Sequence, residues 1–78
     1  MRSSFDIIAE ILKTSKNGAK KTRIMYSCGL SYNFVQKYLE LLSETGLLSV
    51  GTTYRTTERG MGFLHNYQTL ELLLNTAT

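Results

Sequence analysis

Lys20-Lys21-Thr22-Arg23-Ile24-Met25-Tyr26-Ser27-Cys28-Gly29-Leu30-Ser31-Tyr32-Asn33-Phe34-Val35-Gln36-Lys37-Tyr38-Leu39 is the stretch on which the reading of this chain turns. Thr22 can cap a short helix through Cys28, with Ile24, Met25 and Cys28 facing inward and Gly29 stopping it. Ser31 caps a longer helix to about Thr45, with Phe34, Val35, Tyr38, Leu39 and Leu42 forming one apolar stripe before Gly46 ends it. The opposite face presents Asn33, Gln36, Lys37, Glu40 and Glu44, with Tyr32 at its N-terminal rim. Two helices are thus joined by a tight Cys28-Gly29-Leu30 connection, the second one longer and polar on its outer side.

Ahead of this pair, Phe5, Ile7, Ile8, Ile11 and Leu12 recur at helical spacing between Ser4 and Thr14, with Ser3 or Ser4 as N-cap, and Asn17-Gly18 marks a turn. Behind it, Leu47 to Val50 and Thr53 to Thr56 flank Gly51-Thr52 as a small hairpin. Thr57 caps a last helix through Phe63, Leu64, Tyr67, Leu70, Leu73 and Leu74 to about Asn75. Gly60 and Gly62 each cost about 1 kcal/mol against Ala in a helix, which predicts that another segment approaches closely there. The order helix, helix, helix, hairpin, helix reads as mostly α with a small β-hairpin. That is a winged helix-turn-helix with an extended C-terminal helix, one domain over residues 1–78.

Composition agrees with a single folded binding domain. At 78 residues, 42% hydrophobic and 19% charged, the chain is too short for two cores, too apolar for a disordered tail and too polar for a membrane span. Met1 to Asp6 leads into an amphipathic pattern rather than the uninterrupted apolar stretch of a signal peptide, so the expectation is a cytoplasmic protein. One cysteine makes no internal disulfide, and one histidine with six scattered carboxylates is little from which to build an active site. The reading is therefore not an enzyme, with no cofactor, no metal and no small-molecule substrate.

The net charge of +3 is unevenly spread. Residues 1–30 hold six Lys and Arg against two acids, whereas residues 31–78 hold three against four. Lys16 to Arg23 carries four positive charges and no negative one. Lys20, Lys21 and Arg23 crowd the positive end of the second helix's dipole, a mildly unfavourable arrangement that an arriving phosphate reverses by meeting N–H groups and cations together. A helix also fits the major groove, where Asn33, Gln36 and Lys37 can reach base edges or phosphates. The expected contacts to double-stranded DNA are Lys20, Lys21, Thr22, Arg23, Tyr32, Asn33, Gln36, Lys37 and, from the hairpin, Arg55.

The run Lys21-Thr22-Arg23-Ile24-Met25-Tyr26, with Leu30-Ser31-Tyr32, Tyr38-Leu39 and Gly46-Leu47-Leu48, resembles archaeal winged-helix proteins of the small chromatin-associated and transcription-regulator type. Tyr54-Arg55-Thr56-Thr57-Glu58-Arg59-Gly60, followed by Phe63-Leu64, is similar to that family's passage from wing into last helix. The resemblance covers almost the whole chain. It implies binding to duplex DNA on the nucleoid and dimerisation through the last helix, which in family members is often longer.

Residues 57–75 fit that second role. Phe63, Tyr67, Leu70 and Leu74 are spaced four, three and four apart, as in a coiled-coil seam, and Leu72 and Leu73 widen it. Phe63 and Leu64 also suit packing on the first helix; Leu70, Leu73 and Leu74 suit a second protomer, giving a homodimer. Cys28 reads as core filler, Tyr38 as core, and His65 as a surface or interface residue. Gly60-Met61-Gly62 lacks the context of a nucleotide fingerprint. The rival reading is a winged helix that engages a partner protein and no DNA.

Overall fold

The computed structural model describes residues 2–77 as α1 (Ser4–Thr14), α2 (Lys21–Cys28), α3 (Tyr32–Glu44), β1 (Leu48–Val50), β2 (Tyr54–Thr56) and α4 (Glu58–Ala77). Local chemistry accounts for most boundaries. Ser3 caps α1 in a reciprocal box: its hydroxyl accepts from the Asp6 N–H, and the Asp6 carboxylate accepts from the Ser3 N–H. Ser31 accepts from the Phe34 N–H to open α3. Gly29 ends α2 in the left-handed region at φ 63°, letting the Leu30 N–H reach the Met25 carbonyl at 3.0 Å. The Arg2 guanidinium, donating to the Cys28 carbonyl at 2.7 Å, completes that end.

The core lies where α1, α2 and α3 meet. Ile8, Ile11 and Leu12 pack with Ile24, Cys28, Val35, Leu39 and Leu42, closed below by Leu48 of β1 and Leu64 of α4. Full burial of each large aliphatic side chain contributes about 1.5–3 kcal/mol, the main stabilising force in so small a domain. Three positions depart from the sequence reading. Phe34 is 58% exposed, because the buried arc of α3 is centred on Val35, Leu39 and Leu42 and leaves Phe34 at its edge. Tyr38 is half-buried, packed against the core from outside. The helix predicted to begin after a Thr22 cap begins at Lys21, with Lys20 as its N-cap.

β1 and β2 pair antiparallel in the register Leu48↔Thr56, Ser49↔Arg55 and Val50↔Tyr54. The hairpin is also sewn to the connector between α1 and α2. Ala19 and Tyr54 exchange N–H···O bonds of 2.9 and 2.8 Å, the Thr56 N–H reaches the Ser15 carbonyl, and the buried Thr56 hydroxyl donates to the Leu12 carbonyl at 2.7 Å. A connector too short to show a period of two in sequence thus acts as a third, one-bridge strand. Ser15 Oγ and Ser43 Oγ are buried without a partner among the described residues.

α4 follows the hairpin directly. Thr57 accepts from the Gly60 N–H and donates to the Gly46 carbonyl at 2.6 Å, joining the start of α4 to the end of α3. The two glycines of α4 behave differently. A Cβ on Gly60 would stand 2.3 Å from the Leu47 carbonyl oxygen, whereas one on Gly62 would meet nothing within 4 Å. The close approach foreseen for both is therefore made at Gly60 alone. Gly60→Ala is expected to destabilise the fold by about 1–3 kcal/mol through overpacking against backbone, and Gly62→Ala to stabilise it by about 0.5–1 kcal/mol through helix propensity. Urea denaturation of the two variants measures the difference, and equal effects would contradict the geometry.

Candidate nucleic-acid interface

The feature that sets this surface apart is a helix start with no side-chain cap. Ala19 is pinned extended against β2, so Lys20 continues the extended path (φ −79°, ψ 157°) and the helix begins at once. The N–H groups of Lys21, Thr22 and Arg23 precede the first i to i−4 bond, from the Ile24 N–H to the Lys20 carbonyl. No acid lies in that first turn. Backbone donors, the positive helix end and the cations of Lys20, Lys21 and Arg23 coincide, the chemistry of an anion site.

Lys21 joins this end of α2 to the outer face of α3. Its ammonium donates to the Gln36 side-chain oxygen and sits 5.2 Å from the centre of the Tyr32 ring. The Gln36 amide nitrogen in turn donates to Glu40 Oε1 at 3.0 Å. Both ends of Gln36 are therefore engaged, and bidentate pairing with adenine requires it to give up both bonds. Asn33, Lys37, Glu40 and Glu44 fall at i, i+4, i+7 and i+11, one exposed stripe beside that chain. Among the described residues the one ion pair is Lys13 with Glu10 at 4.0 Å, so Lys20, Lys21, Arg23, Lys37 and Arg55 carry charge without an internal carboxylate partner.

The hairpin stands on the same side. In the bridge between Ala19 and Tyr54, Lys20 and Gly18 follow and precede Ala19 as Thr53 and Arg55 flank Tyr54. The Arg55 guanidinium consequently lies close to Gly18, 3.3 Å from where a Cβ would be. A groove of about 270 Å³ separates α3 from the hairpin, floored by Leu39 and rimmed by Gln36, Glu40, Glu44, Val50 and Tyr54. Cys28 is buried beneath the surface with Thr14 Oγ1 3.9 Å from its sulfur, and burial pushes its thiol up, which suits packing and not a nucleophile. Among the described residues no group of three His, Cys, Asp or Glu could hold a metal ion, and no helix is long and apolar enough to cross a membrane.

A family model described as winged helix-turn-helix matches residues 1–75. The chain belongs to the winged helix-turn-helix family. The crystal structure of Sso10a-2, described as a DNA-binding protein from Sulfolobus solfataricus, is similar to it with a TM-score of 0.81 and 27% sequence identity. The match covers 97% of this chain and 88% of that one. No curated protein matches significantly. In the terms of the family, α2 and α3 form the helix-turn-helix and β1 and β2 the wing, as the resemblance to archaeal winged-helix proteins implied.

In this winged helix the terminal helix has two halves. Phe63 stacks on Phe5 with ring centres 6.5 Å apart, and the Tyr67 hydroxyl donates to the Asp6 carboxylate, so both side chains face α1. Beyond Tyr67 the leucines stand open: Leu70, Leu72, Leu73 and Leu74 are 59–67% exposed. His65 is exposed as well. Sequence spacing placed Phe63, Tyr67, Leu70 and Leu74 on one seam; it could not show that Asp6, three residues into α1, takes the tyrosine.

That contact is sensitive to pH. The hydrogen bond from Tyr67 holds the Asp6 carboxyl below the usual carboxylate range, and the Asp6 carboxylate pushes the Tyr67 phenol up to about 12. A lowered acid pKa stabilises the fold above the ordinary carboxylate value and is lost as pH falls through the depressed one; a raised phenol pKa stabilises below its ordinary value and is lost as pH climbs through about 12. Tyr67→Phe should therefore melt below the wild type near neutrality, and the gap should close in strong acid. A gap that persists after Asp6 is protonated would show that Tyr67 acts only through packing.

Proposed function

We propose that this chain is a duplex-DNA-binding protein that acts by occupancy, as a transcriptional regulator or DNA-organising protein of the cytoplasmic nucleoid, with no catalytic chemistry of its own. The observation that carries this reading is the uncapped start of α2, where Lys20, Lys21 and Arg23 share one turn with open N–H groups and Lys21 is folded onto the outer face of α3. The likeness to Sso10a-2, a DNA-binding protein, supports it. On this reading α3 enters the major groove, Lys20 to Arg23 hold the phosphates beside it, Tyr32 offers its hydroxyl to the backbone, and Asn33, Gln36 and Lys37 face base edges. Arg55 on the wing reaches toward the neighbouring minor groove.

The same reading takes residues 57–75 as a dimerisation helix within a single winged-helix domain, residues 1–78. Its support is the exposed set Leu70, Leu73 and Leu74, which helical spacing puts on one apolar face of the kind that marks an interface. Phe63 and Tyr67 border that surface while held against α1. Burying three leucines from each protomer contributes about 1.5–3 kcal/mol per side chain before the entropy of association is counted.

Two measurements test these statements. If about four phosphates are neutralised per protomer, the dimer should show a slope of about −7 in log K against log salt, and changing Lys20 and Arg23 together to Ala should weaken binding uniformly across duplexes. Absence of binding to any duplex at low salt would favour a protein-docking module instead. Sedimentation should give a dimer at micromolar concentration, Leu70→Glu with Leu73→Glu a monomer, and the salt slope of that monomer should fall to about −4. A wild-type monomer would remove the dimer.

A further inference from the structure

The stripe that α3 offers to DNA contains carboxylates, which a surface built only to hold a polyanion has no use for. Glu40 lies at the middle of that stripe, exposed, one turn beyond Lys37 and two beyond Asn33. Its orientation is set from outside α3: Lys21 anchors the Gln36 oxygen, and Gln36 donates its amide N–H to Glu40 Oε1. Glu40 Oε2 takes no part in that chain, and among the described residues Glu40 is in no ion pair. The result is a hydrogen-bond acceptor held in place beside the donors Asn33 and Lys37.

In the major groove an acceptor is selective. Guanine shows N7 and O6 and thymine O4, all acceptors that repel a carboxylate. Adenine shows N7 beside its amino group. Cytosine shows the N4 amino donor alone. Resting on the DNA-binding reading above, we propose that Glu40 is a specificity-determining residue: it accepts from the N4 amino group of a cytosine, is repelled by guanine and thymine, and pairs less well with adenine, whose N7 acceptor stands beside its amino group. Lys21 and Gln36 are positioning residues for it, acting through the hydrogen-bonded chain. Lys37, one turn away and free of a carboxylate partner, is placed to donate to guanine O6 and N7 or to a phosphate nearby. The unpaired charge of Glu40 then opposes binding to duplexes without a cytosine in register, and so converts general electrostatic affinity into selection.

The test is selection from a random duplex pool with the wild type, Glu40→Gln and Glu40→Ala, followed by titration of the winning duplex and of an alternating A·T duplex. Glu40 is exposed and outside the core, so circular dichroism should find both variants folded. The wild type should enrich one cytosine per half-site and prefer its duplex over A·T by about tenfold. Glu40→Ala should lose the cytosine and bind A·T more tightly than the wild type does. Glu40→Gln should exchange cytosine for adenine, and Gln36→Ala should soften the preference without abolishing binding. A wild type that binds both duplexes equally, or a Glu40→Ala protein that keeps the cytosine, would overturn the inference while leaving DNA binding intact. Failure of the wild type to bind any duplex would overturn both.

Discussion

Thr56 holds this molecule in its working shape. Its hydroxyl donates to the Leu12 carbonyl at the end of α1, its N–H reaches Ser15, and two residues earlier Tyr54 trades hydrogen bonds with Ala19. A two-stranded hairpin alone is marginal in water. Here the hairpin becomes part of the domain because the connector into α2 serves as its third strand. The same bonds draw Ala19 into an extended conformation, and that dictates where α2 can start. Wing and cation cluster therefore share a side of the molecule for one reason, a short patch of backbone pairing with one buried threonine at its centre.

This constraint also explains what could and could not be read from the sequence. The Ser3 and Ser31 caps and the Gly29 stop are local chemistry, complete within about four residues, and were legible as such. The start of α2 was not. Thr22 is the better cap by propensity, by about 1 kcal/mol, yet the pairing of Ala19 overrides it and moves the start back so that Lys20 becomes the N-cap. Phe34 failed for a similar reason: helical spacing gives an arc of candidates, and only the neighbours decide which edge of the arc is covered. Gly60 and Gly62 are indistinguishable in sequence, and the carbonyl of Leu47 beneath one of them separates the two. Within the candidate site the cations and the polar face of α3 were legible as composition. The Lys21–Gln36–Glu40 chain was not, because it links residues fifteen apart through side chains whose direction depends on how α2 crosses α3.

The overridden cap has an electrostatic consequence. A threonine at the N-cap would have satisfied one of the open N–H groups and drawn the first turn away from solution. With lysine there, donors and like charges accumulate, an arrangement that lowers stability in the free protein and is relieved by an anion. The domain tolerates this because α2 contributes Ile24 and Cys28 to the aliphatic core while Thr22 and Arg23 of its first turn stay exposed, so the crowded charge lies outside the packing. The other first-half cation with a fixed role, Arg2, is used at the opposite end of α2, where positive charge is favourable.

α4 belongs to the domain and projects from it at once. Its first half is fixed by Thr57 on Gly46, Gly60 against Leu47, Phe63 on Phe5, Leu64 in the core and Tyr67 on Asp6. Twenty residues of helix span about 30 Å, in a molecule whose longest dimension is 41 Å, and the leucine-rich second half continues the anchored first half without a break. A partner seated on those leucines would therefore be held at an angle set by Gly60 and Tyr67, far from either contact. For a two-fold assembly that angle governs the separation of the two α3 faces, and duplex DNA repeats its major groove about every 34 Å. Loosening the Asp6 contact would leave each winged helix folded and its charges unchanged while blurring that separation. On the proposed reading of a dimer on duplex DNA, the anchoring of α4 on α1 would set the spacing of the two α3 faces.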